Sequence, residues 1–558
     1  MTHRIIVLKF GSSVLRETSE LPSAVHEIYR WYREGWRVVA VVSAFGGTTE
    51  RLLAQARAIR PDPEPYATAE LLATGERHSA AALAIALDRA GVPARSVDPR
   101  DVGFTTAGDA LNAEPIGFDR SRALEVLEKW PVIVLPGFFG YDAHGRLQLL
   151  GRGGSDLSAV FVADALGAQR CRLLKDVDGV YERDPAAHDS EAPRRFATLG
   201  YAQALECARQ LIQPKAVRHL AQCGAQAEVA ALGREHASVV GPLDSSLVPD
   251  PTPRPARVLL LGLGAVGRGV LERISALPQR FTIIGALVRD RRKHIERGVP
   301  AELLLDSPDD LARLDVDLVI DALPGLEPSR SLVRYFLSHG ISVVSANKAT
   351  IRDSGEQLHA IAERSGASLR YSAAVGGAVP MIETIRLHAA RRTITSFAGI
   401  LNGTCNFILT RCAEGLSSHG ALRAAQAAGF AEADASEDLT GRDTARKLEI
   451  LAREAFGRAP DAIDIEPLDL QALGGRFAAL PAGTTLRYIA RARRLEARIE
   501  ARVALEPVSL DSEFGRTCEE WNLLSIQTAD EIVTIRGRGA GTWPTTEAVL
   551  ADALAMRR

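Results

Sequence analysis

The sequence predicts an α/β protein made of two parallel-sheet parts, which a proline-rich segment separates. Strand-like apolar runs alternate with helical stretches rich in Ala, Leu and Arg on both sides of Leu247–Pro255, a rhythm typical of layered α/β folds. Four prolines in that segment can continue neither helix nor strand, so they mark a domain boundary. The rhythm breaks again near Ser396, which predicts an additional α+β domain.

The strand-like runs give the expected domain limits. In the first part they are Ile5–Phe10, Val38–Val42, Val132–Leu135 and Cys171–Leu174, and in the second Val258–Leu261, Phe281–Val288, Val316–Ile320 and Ile341–Ser345. We expect an α/β/α domain at 1–245, a linker at 246–256, a second α/β domain at 257–390 and an α+β domain at 391–529. Residues 530–558, a strand and a helix, are expected to complete the second α/β domain.

Charge and composition exclude several classes of protein. The 558 residues include 67 basic and 69 acidic side chains. This balance gives no strong positive potential that would attract nucleic acid or an anionic membrane. The longest apolar runs are far too short to span a bilayer, and the N-terminus enters a strand without a signal peptide. Six scattered cysteines without a CxxC pair predict reduced thiols in a cytoplasmic protein, with neither a zinc site nor a disulfide framework.

The first strand runs into a small-residue turn that suits a phosphate. After Ile5–Phe10 come Gly11 and Ser12, and a turn of this kind at the start of a helix exposes backbone N–H groups to an anion. Lys9 can neutralise charge on a transferring phosphoryl group. Taken alone, the motif is better explained as an ordinary strand-to-helix turn with a solvated lysine.

Further polar segments in the same domain favour a phosphoryl-transfer site over ordinary surface loops. They are a strand-end turn with Ser43 and Thr49, a glycine-broken helix with Glu76, a glycine loop with Arg152 and Asp156, and an acidic turn at Lys175–Pro185. Arg152 suits a carboxylate, and Asp156 suits a helix N-cap or a charge partner. The sequence therefore predicts a small-molecule kinase.

In this order, the motifs Lys-Phe-Gly, Val-Val-Ser-Ala, Gly-Glu, Gly-Arg-Gly-Gly-Ser-Asp and Lys-Asp-Val-Asp-Gly-Val-Tyr resemble aspartate kinase, of the amino-acid kinase fold, over roughly the first 230 residues. The resemblance implies that ATP and Mg²⁺ phosphorylate L-aspartate to 4-phospho-L-aspartate. It implies ATP-phosphate contacts from Lys9, Gly11 and Ser12, aspartate contacts from Ser43, Thr49, Glu76 and Arg152, site organisation by Asp156, and positions near the nucleotide for Asp178, Tyr181 and Lys215.

Two segments depart from the aspartate kinase pattern. The first loop is one residue shorter than usual and resembles that of glutamate 5-kinase, and the usual Leu-His-Pro reads Ile212-Gln-Pro214. Two alternatives therefore stay open. Besides an aspartate kinase, the domain could be a kinase for another acidic amino acid or a degenerate module that serves structure or oligomerisation.

The second part opens on a dinucleotide-binding pattern. A buried strand runs into Gly262-Leu-Gly264-Ala-Val-Gly267, in which the glycines make the turn, admit the pyrophosphate and let helix and strand pack, with Ala265 and Val266 between them. The next strand ends at Arg289, in a basic run that suits a 2′-phosphate. NADP is therefore favoured, and Asp290 keeps NAD as the alternative.

Charged residues further on predict proton-transfer chemistry. Lys348 follows a later strand, where ligands sit in such sheets. Asp443 and Lys447 are four residues apart on a predicted helix and share a face. An ammonium oriented by a carboxylate can protonate a carbonyl oxygen as hydride arrives, although a surface ion pair explains the spacing too.

From Arg257 onward the sequence resembles homoserine dehydrogenase. The resemblance implies reversible reduction of L-aspartate 4-semialdehyde to L-homoserine with NAD(P)H, in a homodimer or homotetramer. Lys447 would be the proton donor and acceptor, Glu432 and Asp443 would bind substrate, Lys348 would assist at substrate and cofactor, and the loop ending at Gly541 would close over the cofactor. A sodium ion would be held by the backbone carbonyls of Ser372, Val375, Gly377 and Val379.

Together the two resemblances predict a bifunctional enzyme of the aspartate pathway, serving threonine and methionine biosynthesis. Relatives of this kind carry regulatory βαββαβ domains, known as ACT domains, between the two catalytic parts. The segment 232–257 is too short for one, since such a fold needs more than about 40 residues. We therefore expect no allosteric inhibition by threonine or lysine.

Overall fold

The computed structural model describes residues 4–183, 193–208, 211–248, 254–496, 498–539 and 541–556. The chain divides into two compact units, the first made of residues up to 253 apart from 90–92, and the second of 90–92 and 254–558. Each unit contains layers of sheet and helix, which confirms the predicted α/β fold class. Among the described residues, no helix combines the length and apolar character needed to cross a membrane.

The first unit alternates strands and helices from its first described residues. Its strands are β1 (Ile5–Phe10), β2 (Arg37–Val42), β3 (Ala94–Ser96), β4 (Thr105–Asp109), β5 (Asn112–Gly117), β6 (Val132–Pro136), β7 (Phe139–Tyr141), β8 (Leu147–Leu149), β9 (Arg170–Lys175), β10 (Arg195–Gly200), β11 (Ala227–Ala231), β12 (Ser238–Gly241) and β13 (Ser246–Val248). Its helices are α1 (Leu21–Tyr32), α2 (Thr48–Ile59), α3 (Pro65–Arg89), α4 (Arg120–Lys129), α5 (Gly154–Leu166), α6 (Tyr201–Cys207) and α7 (Pro214–Cys223), with 3-10 turns at Thr18–Glu20 and Pro99–Val102.

Nine of these strands form one sheet in the order β13-β10-β12-β11-β9-β1-β2-β6-β3. The central strands β9, β1, β2 and β6 are parallel and almost wholly buried, as strands covered on both faces must be. The sheet is not parallel throughout, because β12 pairs antiparallel with β11 and β13 antiparallel with β10. The order brings the carboxyl ends of β1, β2 and β9 to one edge, where ligands bind in such sheets.

A second sheet, β5-β4-β7-β8, was not among the strands read from the sequence. The expected break in the helix that carries Glu76 is also wrong, because α3 continues through Gly75. A Cβ at Gly75 would lie 2.9 Å from the Ala44 Cβ and 3.1 Å from the Thr48 Cγ2. The glycine therefore lets an unbroken helix approach the loop after β2.

The second unit contains a parallel sheet and a mainly antiparallel one. Its strands are β14 (Ala256–Leu261), β15 (Phe281–Leu287), β16 (Leu304–Leu305), β17 (Leu318–Asp321), β18 (Ser342–Ser345), β19 (Leu369–Arg370), β20 (Ile394–Ile400), β21 (Asp464–Ile465), β22 (Thr484–Arg494), β23 (Ile499–Ser509), β24 (Trp521–Thr528) and β25 (Ile532–Arg538). Its helices are α8 (Ala265–Ser275), α9 (Arg291–Ile295), α10 (Ser329–Ser338), α11 (Lys348–Ser365), α12 (Met381–Ala389), α13 (Gly403–Ala413), α14 (Ser418–Ala427), α15 (Ser436–Leu439), α16 (Arg442–Phe456), α17 (Leu473–Ala478), α18 (Glu513–Arg516) and α19 (Thr542–Ala555), with 3-10 turns at Ala301–Leu303, Pro308–Arg313 and Ser372–Ala374.

The parallel sheet has the order β16-β15-β14-β17-β18-β19, and β14 leads through a glycine turn into α8. The other sheet has the order β21-β23-β22-β20-β24-β25. The helix α16 packs on this second sheet, and α11 packs on α16. These contacts bring the start of α11 to the start of α16, where Lys348 and Asp443 lie.

The last strand differs from its expected place. β25 pairs antiparallel with β24 in the second sheet, and it does not join the nucleotide-domain sheet. Its register with β24 runs from Gln527 to Trp521, so the hairpin is continuous. Of β25 and α19, it is the helix that packs against the parallel sheet, and its residues Ala548, Val549 and Leu554 share a core with Val258.

The segment expected as a linker is shorter than 246–256. Residues 246–248 form the edge strand β13, and Ala256 already belongs to β14. Residues 249–253, which hold three of the four prolines, lie outside the described residues.

Candidate active sites

In the first unit, two lysines converge on one buried carboxylate. The Lys9 ammonium lies 2.8 Å from one oxygen of Asp156, and that of Lys175 lies 3.0 Å from the other. Burial alone would raise the pKa of Asp156, but the two ammonium groups hold it below its usual range. Burial and the neighbouring Lys9 lower the pKa of Lys175 to about 8. The cluster has one net positive charge at the carboxyl ends of β1 and β9, where a phosphate can bind.

A glycine loop places Asp156 in this cluster. Gly151 and Gly153 adopt positive φ angles of 79° and 75°, and Gly153 caps α5. Asp156 is therefore the third residue of α5 and not its N-cap. Of the two roles predicted for it, N-cap and charge partner, it has the second. The Gln213 backbone N–H donates to Asp156 at 3.3 Å and its side-chain amide donates to the Arg152 carbonyl at 2.8 Å. The Arg152 side chain itself is exposed.

The loop after β1 differs from the predicted strand-to-helix turn. The Gly11 carbonyl accepts from the backbone N–H groups of Val14 and Leu15, and α1 starts only at Leu21. A Cβ at Gly11 would lie 2.8 Å from the Lys9 ammonium, so a side chain there would displace that ammonium. Ser12 is exposed beside it. The two lysines instead contact the first turn of α5, through Asp156.

Glu76 is a buried acid with an incomplete set of partners. One carboxylate oxygen accepts from the Ala44 backbone N–H at 3.2 Å, and the other has no hydrogen-bond partner among the described residues. Burial raises the pKa of Glu76 to about 7. The Ser79 hydroxyl donates to the Ser43 carbonyl at 2.6 Å and joins α3 to the same loop. An ammonium group of a ligand would supply the missing hydrogen-bond donor to the second carboxylate oxygen of Glu76.

The other residues predicted for this unit lie on α2, on α7 and in the turn after β9. Thr49 is a half-buried residue in the first turn of α2, beside the buried Thr48. The Tyr181 hydroxyl donates to Asp178 at 2.6 Å in the turn after β9. The Lys215 ammonium does not join Asp156; it lies 2.8 Å from both Asn112 and Glu114 of β5.

In the second unit, a glycine turn joins β14 to α8. Gly262 has a φ of 94°, and Gly264 caps the helix. A Cβ at Gly267 would lie 2.1 Å from the Gly262 carbonyl oxygen, so a side chain there is excluded. A Cβ at Gly264 would meet no atom within 4 Å. The turn therefore leaves open space at a helix N-terminus, bordered by Ala265 and Val266, which fits the pyrophosphate of a dinucleotide.

A second carboxylate holds two ammonium groups where α11 meets α16. Asp443 accepts from Lys447 at 2.7 Å and from Lys348 at 3.1 Å. The Lys447 ammonium also donates to the Leu401 carbonyl at 2.7 Å and is buried. Burial alone would raise the pKa of Asp443, but the two ammonium groups hold it well below its usual range. The charge of Lys447 in turn lowers the pKa of Lys348.

Two side chains that sequence reasoning missed border this cluster. The Asn402 amide donates to Asp438 at 2.7 Å and to Asp443 at 3.3 Å, while its carbonyl caps α13. Asp438 lies on α15 and Asp443 in the first turn of α16, but only the fold brings Asn402 to them. Glu432, the acid predicted from that run, is exposed in the loop after α14.

A buried polar network supports the turn that carries Lys348. Asp321, at the end of β17, accepts from the hydroxyls of Ser329 and Ser345 at 2.7 and 2.8 Å. Burial raises the pKa of Asp321. The Asn347 amide donates to the carbonyls of Leu323 and Gly325, and its side-chain oxygen caps α11. The network fixes the first residue of α11 against the sheet.

Comparison with known proteins assigns both units. Residues 380–554 match the homoserine dehydrogenase family, 262–372 the NAD-binding domain of homoserine dehydrogenase, and 4–227 the amino acid kinase family. A homoserine dehydrogenase of Mycobacterium leprae is 35% identical over 315 residues, which cover 54% of this chain and 71% of the relative. The chain belongs to the homoserine dehydrogenase family.

Two further relatives bear on the two halves of this homoserine dehydrogenase family member. An aspartokinase of Thermus thermophilus is 35% identical over 224 residues, which cover 39% of this chain and 55% of the relative, so the chain spans about half the length of such aspartokinases. A solved homoserine dehydrogenase of Thiobacillus denitrificans is 31% identical, with 55% of this chain and 73% of that chain covered and a TM-score of 0.48.

The basic run after β15 lies at the surface of the homoserine dehydrogenase unit. Arg289, Arg291 and Arg292 are exposed, and Asp290 caps the short helix α9 by accepting from the Lys293 N–H at 3.0 Å. The carboxylate of Asp290 is thus used locally, while the side chain of Arg289 is exposed.

The segment expected to bind sodium is buried and tightly turned. Gly376 and Gly377 have φ angles of 88° and 57°, and Ser372, Val375 and Val379 flank them. The Ser372 and Val379 carbonyls each accept a backbone hydrogen bond, from Val375 and Met381 respectively. At the far end of the unit, Gly541 caps α19, while Ala540 before it lies outside the described residues.

Proposed function

We propose that the second unit interconverts L-aspartate 4-semialdehyde and L-homoserine with a nicotinamide cofactor. The observation that carries the proposal is the buried Lys447 ammonium, held between the Asp443 carboxylate and the Leu401 carbonyl. When bound, the cofactor supplies or accepts the hydride. The cluster of Lys348, Asp443 and Lys447 has one net positive charge, which suits an aldehyde oxygen that gains negative charge in the transition state.

In this proposal Lys447 gives its proton to the aldehyde oxygen during reduction and takes it back during oxidation. Asp443 fixes the direction of that ammonium and stays ionised, as its lowered pKa requires. Lys348, less buried than Lys447, binds the substrate carboxylate or the cofactor. Glu432 would reach the substrate amino group only if its loop approaches the cluster.

The proton donor is tested by Lys447→Ala. The variant should reduce the semialdehyde about 10²–10⁴-fold more slowly, because a positioned general acid is lost, while its dissociation constant for NADPH, measured by fluorescence, stays within about twofold. Arg446→Ala is the matched control, since Arg446 lies on the same helix and pairs with Glu437 near the surface. Near-normal turnover of Lys447→Ala would overturn the proposed role.

We further propose NADP as the preferred cofactor, with NAD as the alternative, because the exposed Arg289 follows β15 and the one acid in that run, Asp290, caps α9. We also propose a cytoplasmic homodimer or homotetramer with only small-molecule substrates. A sodium ion bound by the carbonyls of Ser372, Val375, Gly377 and Val379 remains part of the proposal, since the two engaged carbonyls keep one lone pair each. Equal dehydrogenase rates in sodium and choline buffers would contradict the sodium site.

For the first unit we propose ATP- and Mg²⁺-dependent phosphorylation of L-aspartate to 4-phospho-L-aspartate. The supporting observation is the convergence of Lys9 and Lys175 on Asp156 beside the α5 glycine loop. Lys9 and Lys175 would neutralise the transferring phosphoryl group, and the buried Glu76 would receive the substrate ammonium. Ser43, Thr49 and Arg152 would hold the substrate, and Asp178, Tyr181 and Lys215 the nucleotide.

The shortened loop after β1 favours a second candidate, in which this domain is degenerate or prefers another acceptor. The test is ADP release by the full chain with aspartate, glutamate or no acceptor. We expect aspartate-dependent release that Lys9→Ala abolishes, while the dehydrogenase rate is unchanged. Release with glutamate alone would assign a different acceptor, and no release with either would favour the structural module.

A further inference from the structure

Three side chains of types that bind transition metals meet on the surface of the first unit. Asp164 lies near the end of α5, and His219 and Cys223 lie on α7. Their ligand atoms all lie within 4.8 Å of one another. The sequence predicted no zinc site because it contains no CxxC pair, but here the ligands come from two helices that only the fold brings together.

The geometry of the helix pair aligns these ligands. His219 and Cys223 are four residues apart on α7 and so share one face, and the helices pack through Val160, Val217 and Leu220. The His219 Nε2 lies 3.4 Å from an Asp164 carboxylate oxygen. Two ligand atoms at the usual 2.0–2.1 Å from zinc, at a tetrahedral angle, are about 3.4 Å apart. These two atoms thus already have the spacing of neighbouring ligands of one ion.

The imidazole of His219 has an available nitrogen. Its Nε2 is buried and, apart from the Asp164 oxygen at 3.4 Å, has no polar partner among the described residues. The ring packs against Phe161 with centroids 5.3 Å apart, which limits its rotation. The Cys223 thiol donates to the His219 carbonyl at 3.1 Å, so its sulfur lies against the same turn.

We propose that Asp164, His219 and Cys223 bind one divalent cation of the zinc class. A nitrogen, a thiolate sulfur and a carboxylate oxygen together suit Zn²⁺ and Co²⁺, whereas Mg²⁺ and Ca²⁺ prefer oxygen ligands alone. Three protein ligands leave the fourth position to water, so the ion exchanges with solvent. Binding would displace the thiol proton of Cys223, since the thiolate is the form that binds metal.

The ion would fasten α5 to α7 at their C-terminal ends. At the N-terminal ends the same two helices are already joined by the Gln213 N–H, which donates to Asp156. Since α5 carries Asp156, and α7 carries Lys215 in its first turn, the ion would make rigid the helix pair that borders the proposed phosphate site.

The test uses the full chain, freed of metal by dialysis against a chelator and then titrated with Co²⁺. We expect a thiolate-to-cobalt charge-transfer band that saturates at one ion per chain and that one equivalent of Zn²⁺ removes. Zn²⁺ should also raise the melting temperature of the first unit. Absence of the band, or no protection by Zn²⁺, would overturn the proposal.

Variants locate the ion. Cys223→Ser should abolish the cobalt band, and His219→Ala and Asp164→Asn should weaken Zn²⁺ binding measured by calorimetry. Cys207→Ser is the matched control, because Cys207 is also an exposed free cysteine of this unit and lies on α6. An unchanged band in Cys223→Ser, or loss of it in Cys207→Ser, would assign the ion elsewhere. If Cys223→Ser unfolds, calorimetry on His219→Ala alone decides.

Discussion

Replacing Glu76 with glutamine should stabilise the first unit at neutral and alkaline pH. The carboxyl is buried on α3 with one unsatisfied oxygen, and burial raises its pKa from the usual 4.5 to about 7. A group with a raised pKa contributes stability that is fully present below pH 4.5 and is lost as the pH rises through 7. Glutamine has no charge to bury, so it avoids this loss.

The size of the effect follows from the same two pKa values. One pKa unit corresponds to about 1.36 kcal/mol, so ionising Glu76 above pH 7 costs the folded state about 3 kcal/mol. For a unit of 150–250 residues this corresponds to a melting temperature about 6–12 °C higher in Glu76→Gln at pH 8. At pH 5 the acid is protonated in the folded state but largely ionised in the unfolded one, so the cost falls below about 1 kcal/mol and the two proteins should melt within about 4 °C of each other.

Differential scanning calorimetry of the full chain at pH 5 and pH 8 measures both values. Glu70→Gln is the matched control, because Glu70 is an exposed acid on the same helix. Its carboxylate lies 3.8 Å from the Arg77 guanidinium, too far for a hydrogen bond. L-Aspartate should raise the wild-type melting temperature at pH 8, since its ammonium group pairs with the ionised carboxylate, and should have little effect on Glu76→Gln. Equal melting temperatures at pH 8, or a less stable glutamine variant, would refute the reasoning.

Two other perturbations separate the proposed sites. Replacing Arg289 and Arg291 with alanine should raise the KM for NADPH about tenfold or more, since each lost charge-assisted contact to a phosphate is worth roughly 1.5–3 kcal/mol. The KM for NADH should stay nearly unchanged. If steady-state kinetics show that both constants rise equally, the 2′-phosphate contact is contradicted. Lys175→Met should lower the kinase kcat about 10²-fold or more, because it removes one of the two ammonium groups proposed to neutralise the phosphoryl group. The dehydrogenase rate is the internal control. An unaltered kcat would exclude Lys175 from the site.

Local patterns predicted those parts of the sites that lie close together in sequence. The glycine spacing at 262–267 predicted the turn into α8, and the four-residue spacing of Asp443 and Lys447 predicted that they share a helix face. Both depend only on the geometry of one turn or one helix. The α/β class followed in the same way from the alternation of buried strands and helices.

Contacts between distant segments could not be read from spacing. Lys175 reaches Asp156 only because α5 packs on β9, and Asn402 reaches Asp438 only because α13 packs near α15. The last strand, β25, pairs with β24 because a short hairpin connects them, which is the usual result for sequential strands. Gly75 suggested a helix break, but tertiary contact with the loop after β2 decided its conformation.

The return of α19 to the parallel sheet has a consequence for the order of folding. This helix packs on α8, from which more than 260 residues separate it along the chain. Contacts of such long sequence separation form late, because the intervening loop must be closed first. During synthesis the first unit can fold as soon as its residues have left the ribosome, whereas the core around Val258 keeps one face open until α19 emerges. A chain stalled before Thr542 should therefore expose that apolar face and become a chaperone substrate, although every strand of the parallel sheet has already been made.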